Sequence, residues 1–334
     1  MKTYIPGGYA PSLGLYETQK AIGMIKDVFQ VKLCAALHLK RVTAPLFVDP
    51  LTGLNDNLSG VERPVAFDIP GTGGMAEVVH SLAKWKRLAL CRYGFYKGNG
   101  LLTDMNAIRR DEELDNIHSA YVDQWDWEKV IGEEERTTEF LEDTVNRIVS
   151  AICGTLDELK WQFPDLSTEL CREVKFITGE ELLKKYPDLS PKEREHAIAR
   201  AYKTVFIEKI GGDMSNGQPH DGRAPDYDDW DLNGDLIFWN DTLGISFEIS
   251  SMGIRVDSRS LDKQLRLSGC DDRRGLPFHA ALLKGELPLT IGGGIGQSRL
   301  CMLLLGKAHI GEVQSSIWDE ETAKICEQAG VLLL

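Results

Sequence analysis

Arg109 opens a charged turn, IRRDEELDN, and HSAYVDQWDWE follows at 118–128. In a strand, residues two apart share a face. A strand over 118–127 therefore turns His118, Ala120, Val122, Gln124 and Asp126 one way, and Tyr121, Asp123, Trp125 and Trp127 the other. The second set is what a core takes. The first, small in the middle and polar at its end, suits the floor of a pocket that grips a charged ligand. A solvated surface hairpin is the other reading of the same pattern.

A second group lies in DLNGDLIFWN (231–240) and ISFEISSMGIR (245–255), which read as antiparallel neighbours. They bring Asp235 and Glu248 together, with Ser250 on the Glu248 face and Arg255 just beyond the strand. Two hard carboxylates facing a phosphate suit Mg2+, which keeps several waters and takes few protein ligands. Two unrelated exposed acids are the alternative. Asp229, Asp231, Asn233 and Gly234 begin like an EF-hand loop, but Asn240 stands where the bidentate Glu belongs and LIFW is strand-like, so that calcium site is excluded.

Three further stretches carry chemistry or merely punctuation. The loop GQPHDGRAPDYDDWD (217–231) holds Arg223 and Asp228 and has the polarity of a lid or of a solvated excursion. IGGGIGQSR (291–299) fits neither common phosphate-loop pattern. Its glycines, Gly294 among them, admit close backbone approach to a flat ligand, and Arg299 in the next helix can stack on a purine or meet a phosphate. A plain glycine-rich corner competes with that reading. In DNLSG (56–60) and HSLAKWKR (80–87), Asp56 can cap its own turn, Ser81 a helix, and Lys84 and Lys86 can be solvated.

The elements that must position these residues follow from periodicity. Residues 16–40 read as a helix, with Ile22, Ile25, Phe29, Leu33 and Leu37 on one face. A strand is expected at 42–48, where Pro45 suits an edge or an interface. A strand at 77–81 leads into the helix LAKWKRLAL, and strands at 105–109 and 118–127 flank the acidic turn. Helices are expected at 136–160, 180–200, 259–267 and 276–284. Strands are expected at 203–208, 234–239 and 246–251, with a polar loop over 211–232. LTIGGGIGQSRLCMLLL reads as strand, glycine turn and helix. Strands that follow one another without intervening helices predict an α+β fold: a largely antiparallel sheet flanked by helices. No linker divides the chain, so one domain over 1–334 is expected.

Bulk properties exclude some functions. The net charge of −13 repels nucleic-acid backbones. No apolar run reaches the length of a membrane span, and MKTYIPGGYA lacks a signal-peptide core. Seven scattered cysteines without CxxC spacing read as reduced thiols in a cytoplasmic protein.

Taken together, the segments resemble a known family. Arg109 with YVDQWDWE resembles the arginine-bearing strand–loop–strand of class II aminoacyl-tRNA synthetases. GGGIGQSRLCMLLL resembles their arginine-containing strand–helix element, and LHLKRVTAPLF their helix–strand dimer element. Within that superfamily, DNLSG, VVHSLAKWKR, YVDQWDWE, RAPDYDDW, LNGD, SSMGIR and IGGGIGQSR together resemble ammonia-dependent asparagine synthetase, aspartate–ammonia ligase, from about residue 17 onward.

The resemblance implies that ATP and L-aspartate form β-aspartyl-AMP and pyrophosphate, after which ammonia displaces AMP to give L-asparagine. It implies Arg109 on the α-phosphate, Arg299 on the far end of the nucleotide, and His118 and Gly294 also at the nucleotide. Asp235 and Glu248 would hold Mg2+, and Arg223 and Asp228 would belong to a lid. Gln124 and Asp126 would take the α-ammonium of aspartate. Lys86 and Arg255 would take its carboxylates, with Ser81 and Ser251 as hydrogen-bonding groups. Asp56 would bind ammonium or accept its proton. A homodimer is implied as well. The start Met1–Lys2 offers no N-terminal cysteine for a glutamine-using enzyme, so free ammonia is the expected donor, and the short acidic C-terminus provides no tRNA-binding module.

Overall fold

The computed structural model describes residues 2–56 and 62–334. The chain opens with helix α1 (Leu15–Leu37) and strands β1 (Leu39–Arg41), β2 (Phe47–Val48), β3 (Ala66–Ile69) and β4 (Gly74–Val78). Helix α2 (Ala83–Arg92) leads to the long strands β5 (Gly100–Ile108) and β6 (Tyr121–Val130). After α3 (Thr138–Gln162) come β7 (Lys175–Thr178), α4 (Gly179–Lys185), α5 (Pro191–Tyr202), β8 (Thr204–Glu208), β9 (Asp228–Asn240) and β10 (Ile245–Arg255). The chain continues through α6 (Ser258–Leu267), α7 (Pro277–Leu283), β11 (Thr290–Gly296), α8 (Gln297–Leu304) and α9 (Glu320–Gln328).

Among the described residues, eight strands form one sheet in the order β1-β5-β6-β11-β10-β9-β8-β7. Only its end pairs, β1–β5 and β7–β8, run parallel. The largely antiparallel α+β architecture expected from the sequence is therefore present. Strands β2, β4 and β3 make a small second sheet.

One face of the large sheet is closed by α1 and α3, which pack on each other. Ala21, Ile25, Phe29, Leu33 and Leu37 recur every four residues and are buried. Leu141, Val145, Ile148, Ile152, Leu156 and Leu159 recur at spacings of three and four and are buried on α3, whose N-cap Thr137 accepts from the Phe140 N–H. Trp125 and Trp127 of β6 enter this core, and the Trp125 ring sits 4.8 Å from that of Phe29. Each such side chain stabilises the fold by roughly 1.5–3 kcal/mol. With β6 pinned by its tryptophans, its other face is fixed as well, and that face is polar.

Several elements depart from expectation. Of the strand expected over 42–48 only β2 forms, in the small sheet; β1 precedes it where the first helix was expected to continue, joins the large sheet, and Pro45, which lacks an N–H, lies between the two. The helix over 180–200 is two helices, because Pro191 disfavours helical backbone at Ser190, which instead caps α5 in a box with Glu193. Strand β6 begins at Tyr121, so His118 and Ala120 lie in the preceding turn. The loop expected over 211–232 ends at 227, since β9 starts at Asp228. Strands β3 and β7 are too short to show a period. Most of DNLSG lies outside the described residues. All seven cysteines are free thiols. Among the described residues, no helix is long and apolar enough to cross a membrane.

Candidate active site

A cavity of about 410 Å³ opens on the polar face of β6, β10 and β11. Asp56, Ser81, Lys86, Arg109, His118, Gln124, Asp126, Arg223, Asp228, Glu248, Ser251, Arg255, Gly294 and Arg299 all line it. Asp235, Lys84 and Ser250 do not line it; Asp235 stands behind the wall, reached through its hydrogen bond with Arg223.

The floor is a buried network of charge. Lys86 of α2 is 1% exposed; its Nζ donates to the Gly293 carbonyl at 2.9 Å and lies 3.0 Å from Asp126 Oδ2. Burial drives its pKa down, and Asp126 works against that. Asp126 keeps Oδ1 buried without a protein partner. Arg255 lies beside it. Its Nε donates to Glu128 Oε1 and Oε2 at 3.0 and 3.1 Å, its Nη2 to Glu128 Oε2 at 2.8 Å, and its Nη1 to Asp228 Oδ1. Burial favours the neutral form of Arg255, but Glu128 and Asp228 outweigh it and hold the group charged. A guanidinium has five N–H groups. Three are committed, which leaves one on each terminal nitrogen, enough for a forked bond to a carboxylate.

This network rests on glycines. A methyl at Gly292 would lie 2.0 Å from Glu128 Oε2 and 2.7 Å from Arg255 Nη2; one at Gly294 would lie 2.4 Å from Gln124 Oε1 and 2.9 Å from Asp126 Oδ1. The missing side chains of β11 are the space in which the floor stands.

Glu128 and Gly292 were not among the residues singled out from the sequence. The signal was available for Glu128, which continues the alternation of Gln124 and Asp126. Asp228 corrects the lid expectation: it begins β9, is buried against Arg255, and belongs to the floor.

The other end of the cavity gathers groups suited to phosphate. Arg109 follows β5, with Nε buried and without a partner and Nη1 3.7 Å from Glu112. His118 Nδ1 lies 2.9 Å from Asp115 Oδ1. Arg299 in the first turn of α8 donates to the Glu248 carbonyl at 3.2 Å and lies over the Phe247 ring at 5.9 Å.

Asp235 pairs across the strands with Ser251, and Glu248 with Ile237. A bulge between Glu248 and Ser250 shifts the register, so Glu248 and Ser251, three apart, both face the cavity. Ser250, expected on the Glu248 face, is buried with its hydroxyl unpartnered. Burial raises Asp235 to about 7, with Glu248 and Asp221 adding to the rise and Arg223 opposing it. Asp235 Oδ1 has no partner. A buried carboxylate with a spare oxygen and an acidic neighbour fits a hard divalent cation such as Mg2+.

At the remaining edge, Asp56 is 2% exposed, its N–H bonded to Asn55 Oδ1 and its carbonyl 3.2 Å from His80 Nδ1. Ser81 is not the N-cap expected, which is Leu82; it stands one residue earlier, accepts from the Ala83 N–H at 3.4 Å, and lines the cavity. Lys84 is not solvated. It joins His279 and Arg273 around Asp226, at 3.2, 2.9 and 3.0 Å, and so anchors the segment entering β9.

Residues 16–330 match the family model described as aspartate–ammonia ligase. The chain is 57% identical over 330 residues to an aspartate–ammonia ligase of Ruminiclostridium cellulolyticum, covering 98% of each. It is 58% identical to that of Lactobacillus acidophilus over the full length of both. Among solved structures, an asparaginyl-tRNA synthetase of Entamoeba histolytica with bound asparaginyl-adenylate superposes with a TM-score of 0.66 at 15% identity, covering 90% of this chain and 66% of that one. The Pyrococcus horikoshii asparaginyl-tRNA synthetase gives 0.61 at 16% identity, covering 93% and 73%. These likenesses establish the class II synthetase fold. Matched by that family model over residues 16–330, and with relatives this similar along its whole length, the chain belongs to the aspartate–ammonia ligase family.

Proposed function

We propose that the protein makes L-asparagine from L-aspartate, ammonia and ATP. The β-carboxylate of aspartate attacks the α-phosphorus, and pyrophosphate leaves. Ammonia then attacks the β-carbonyl of β-aspartyl-AMP, loses a proton, and expels AMP.

Asp126 Oδ1 and Gln124 receive the α-ammonium. Lys86 and the two spare donors of Arg255 receive the carboxylates, with Ser81 and Ser251 beside them. Held at both ends, the β-carboxylate lies in line with phosphorus. Arg109 meets the charge that develops on the α-phosphoryl oxygens, in a setting that needs no reorganisation. Arg299 and His118 hold the nucleotide, and Gly294 leaves room for it. Asp235 and Glu248 would hold Mg2+, which when bound neutralises polyphosphate charge. Asp56 accepts the proton that ammonium gives up. The chain acts as one catalytic domain, as a cytoplasmic homodimer; exposed Leu15, Tyr16 and Val31 on α1 and the seven free thiols support that setting.

The observation that carries this reading is the convergence of Arg109, Arg299 and Glu248 with Lys86, Asp126 and Arg255 on one cavity. The test is exchange of labelled pyrophosphate into ATP. Exchange that requires aspartate, with asparagine formed from ammonium in the absence of tRNA, is expected. Exchange indifferent to aspartate, or charging of tRNA, would overturn it.

A further inference from the structure

We propose that Arg223 is a resident counter-ion for Asp235, keeping the Asp235–Glu248 pair closed to a divalent cation until nucleotide arrives, when its guanidinium transfers to the polyphosphate. The proposal rests on the assignment of Asp235 and Glu248 to the metal.

The cavity contains two kinds of ion pair. Arg255 is 3% exposed and its carboxylate partners grip it from two sides. Arg223 is bound less completely. Its Nη2 donates to Asp235 Oδ2, and its Nη1 to Asp221 Oδ2 at 2.9 Å and to the Gly222 carbonyl at 3.2 Å. Its Nε is buried without a partner, and so is Asp235 Oδ1 on the other side of the pair. Each member thus keeps an uncommitted polar atom where an unpaired buried group is costly. A pair left incomplete on both sides is suited to exchange partners.

The loop around Arg223 is anchored, so the exchange falls to the side chain. Gly211 (φ +102°) packs under it; a methyl there would lie 2.8 Å from Arg223 Cβ and 2.7 Å from the Trp230 ring. Three residues further on, Asp226 is held by Lys84, Arg273 and His279. From a fixed Cα, a rotating arginine can leave Asp235 and still face the cavity, which it lines.

Charge decides the order of events. A divalent ion arriving alone must share the Asp235 carboxylate with a guanidinium, and two cations a few ångströms apart in a partly buried site repel strongly. An ion that comes with a polyphosphate brings acceptors for the displaced guanidinium, whose planar fork matches phosphate oxygens. Arg223 therefore couples metal binding to nucleotide binding.

The test uses the full chain without nucleotide and Mn2+, whose free concentration is read by electron paramagnetic resonance. Arg223→Gln is expected to bind Mn2+ about 10- to 100-fold more tightly than the parent protein, the range for removing a charged hydrogen bond. With Mg2+ present, it is expected to bind inorganic tripolyphosphate weaker by a similar factor. Arg223→Lys keeps the charge without the fork. It is expected to exclude Mn2+ as the parent does while losing tripolyphosphate affinity, and it supplies the answer should the glutamine variant fail to fold. Unchanged Mn2+ affinity in Arg223→Gln, or parent-like tripolyphosphate affinity in Arg223→Lys, would overturn the proposal. Absence of aspartate-dependent pyrophosphate exchange would sink the amidation reading separately, since the Mn2+ comparison needs no turnover.

Discussion

Replacing Glu128 by glutamine keeps its shape and removes its charge. Glu128 is fully buried, accepts three hydrogen bonds from Arg255 and one from Thr290 at 2.7 Å, and lies 3.9 Å from Lys86 Nζ. A glutamine amide offers one acceptor oxygen and turns two N–H donors toward groups that are themselves donors. The Thr290 hydroxyl can rotate to accept; the guanidinium cannot. Arg255 thus loses its forked partner and keeps Asp228. Breaking a buried ion pair by neutralising one partner costs about 3–5 kcal/mol. One term opposes this: the floor holds two cations (Lys86, Arg255) and three carboxylates (Asp126, Glu128, Asp228), so the variant lowers the excess of negative charge from one to none. A net loss of about 3 kcal/mol is the balance.

Urea unfolding measures it, and the aspartate KM reports the function. Arg255 set loose from Glu128 no longer presents its two spare donors in register, so the aspartate KM should rise much more than the ATP KM. The pH dependence carries a sign. Burial would raise the Glu128 carboxyl, but Arg255 and then Lys86 outweigh it and hold it below the ordinary value of 4.5. The contribution is therefore present above about 4.5 and is lost as pH falls through the lower folded value. The stability difference between parent and variant should shrink in acid. A loss under about 1 kcal/mol at pH 7 with an unchanged aspartate KM would refute the reasoning.

Other perturbations read other parts of the cavity. Arg109→Ala should slow pyrophosphate exchange by about 10²–10³-fold, the scale for removing a preorganised charge from a developing transition state; a near-normal rate would reassign that residue. Gly294→Ala places a methyl against Gln124 and Asp126. Overpacking of about 1–3 kcal/mol should appear as a roughly 5- to 150-fold rise in aspartate KM, and an unchanged KM would show that those side chains can yield freely. Glu208, away from the cavity, is 5% exposed; burial, and then the Glu142 charge, raise it to about 7. A raised folded value means stability is present below about 4.5 and lost as pH rises through 7. Glu208→Gln should therefore match the parent near pH 5 and exceed it by about 2 kcal/mol at pH 8.5 in urea titrations; equal curves at both pH values would contradict the burial argument.

What could be read from the sequence was what depends on local period. Gln124, Asp126, Trp125 and Trp127 sort to opposite faces of β6 because a strand has period two, and pinning the tryptophans in the core is enough to aim the acids. The helices α1 and α3 follow from the same logic at a period of 3.6. Alternation puts Ser250 on the Glu248 face, but the bulge in β10 inserts one residue that no composition marks, and Ser251 takes that place. Asp228 looked like loop because turn formers precede it without a break, and only pairing with β10 makes it strand. The partners of Lys84 and Arg255 lie 142 and 127 residues away, at Asp226 and Glu128. Long-range pairing of this kind leaves no local trace, which is why Lys84 read as solvated and Glu128 went unnoticed.

The floor carries a net negative charge, and the proposed assignment still sets a substrate with two carboxylates on it, because valence and position matter more here than the sum. Lys86 is held by Asp126 and the Gly293 carbonyl, and Arg255 by Glu128 and Asp228. Neither can relax toward its partners when the cavity is empty, since those partners already sit on strands of the large sheet. Donors fixed this way pay no reorganisation on binding, and in a site shielded from water they act more strongly than the same groups in solution. The same fixity sets length. In the proposed reading, an amino acid whose ammonium is anchored at Asp126 reaches the α-phosphorus with a carboxylate at one distance only. In that reading one extra methylene overshoots it, and a side chain ending in an amide gives the spare Arg255 fork one acceptor oxygen and sets an NH2 donor against its other N–H. On that assignment, selection between aspartate, glutamate and the product asparagine follows from β6 and β10 being neighbours of one glycine-lined strand.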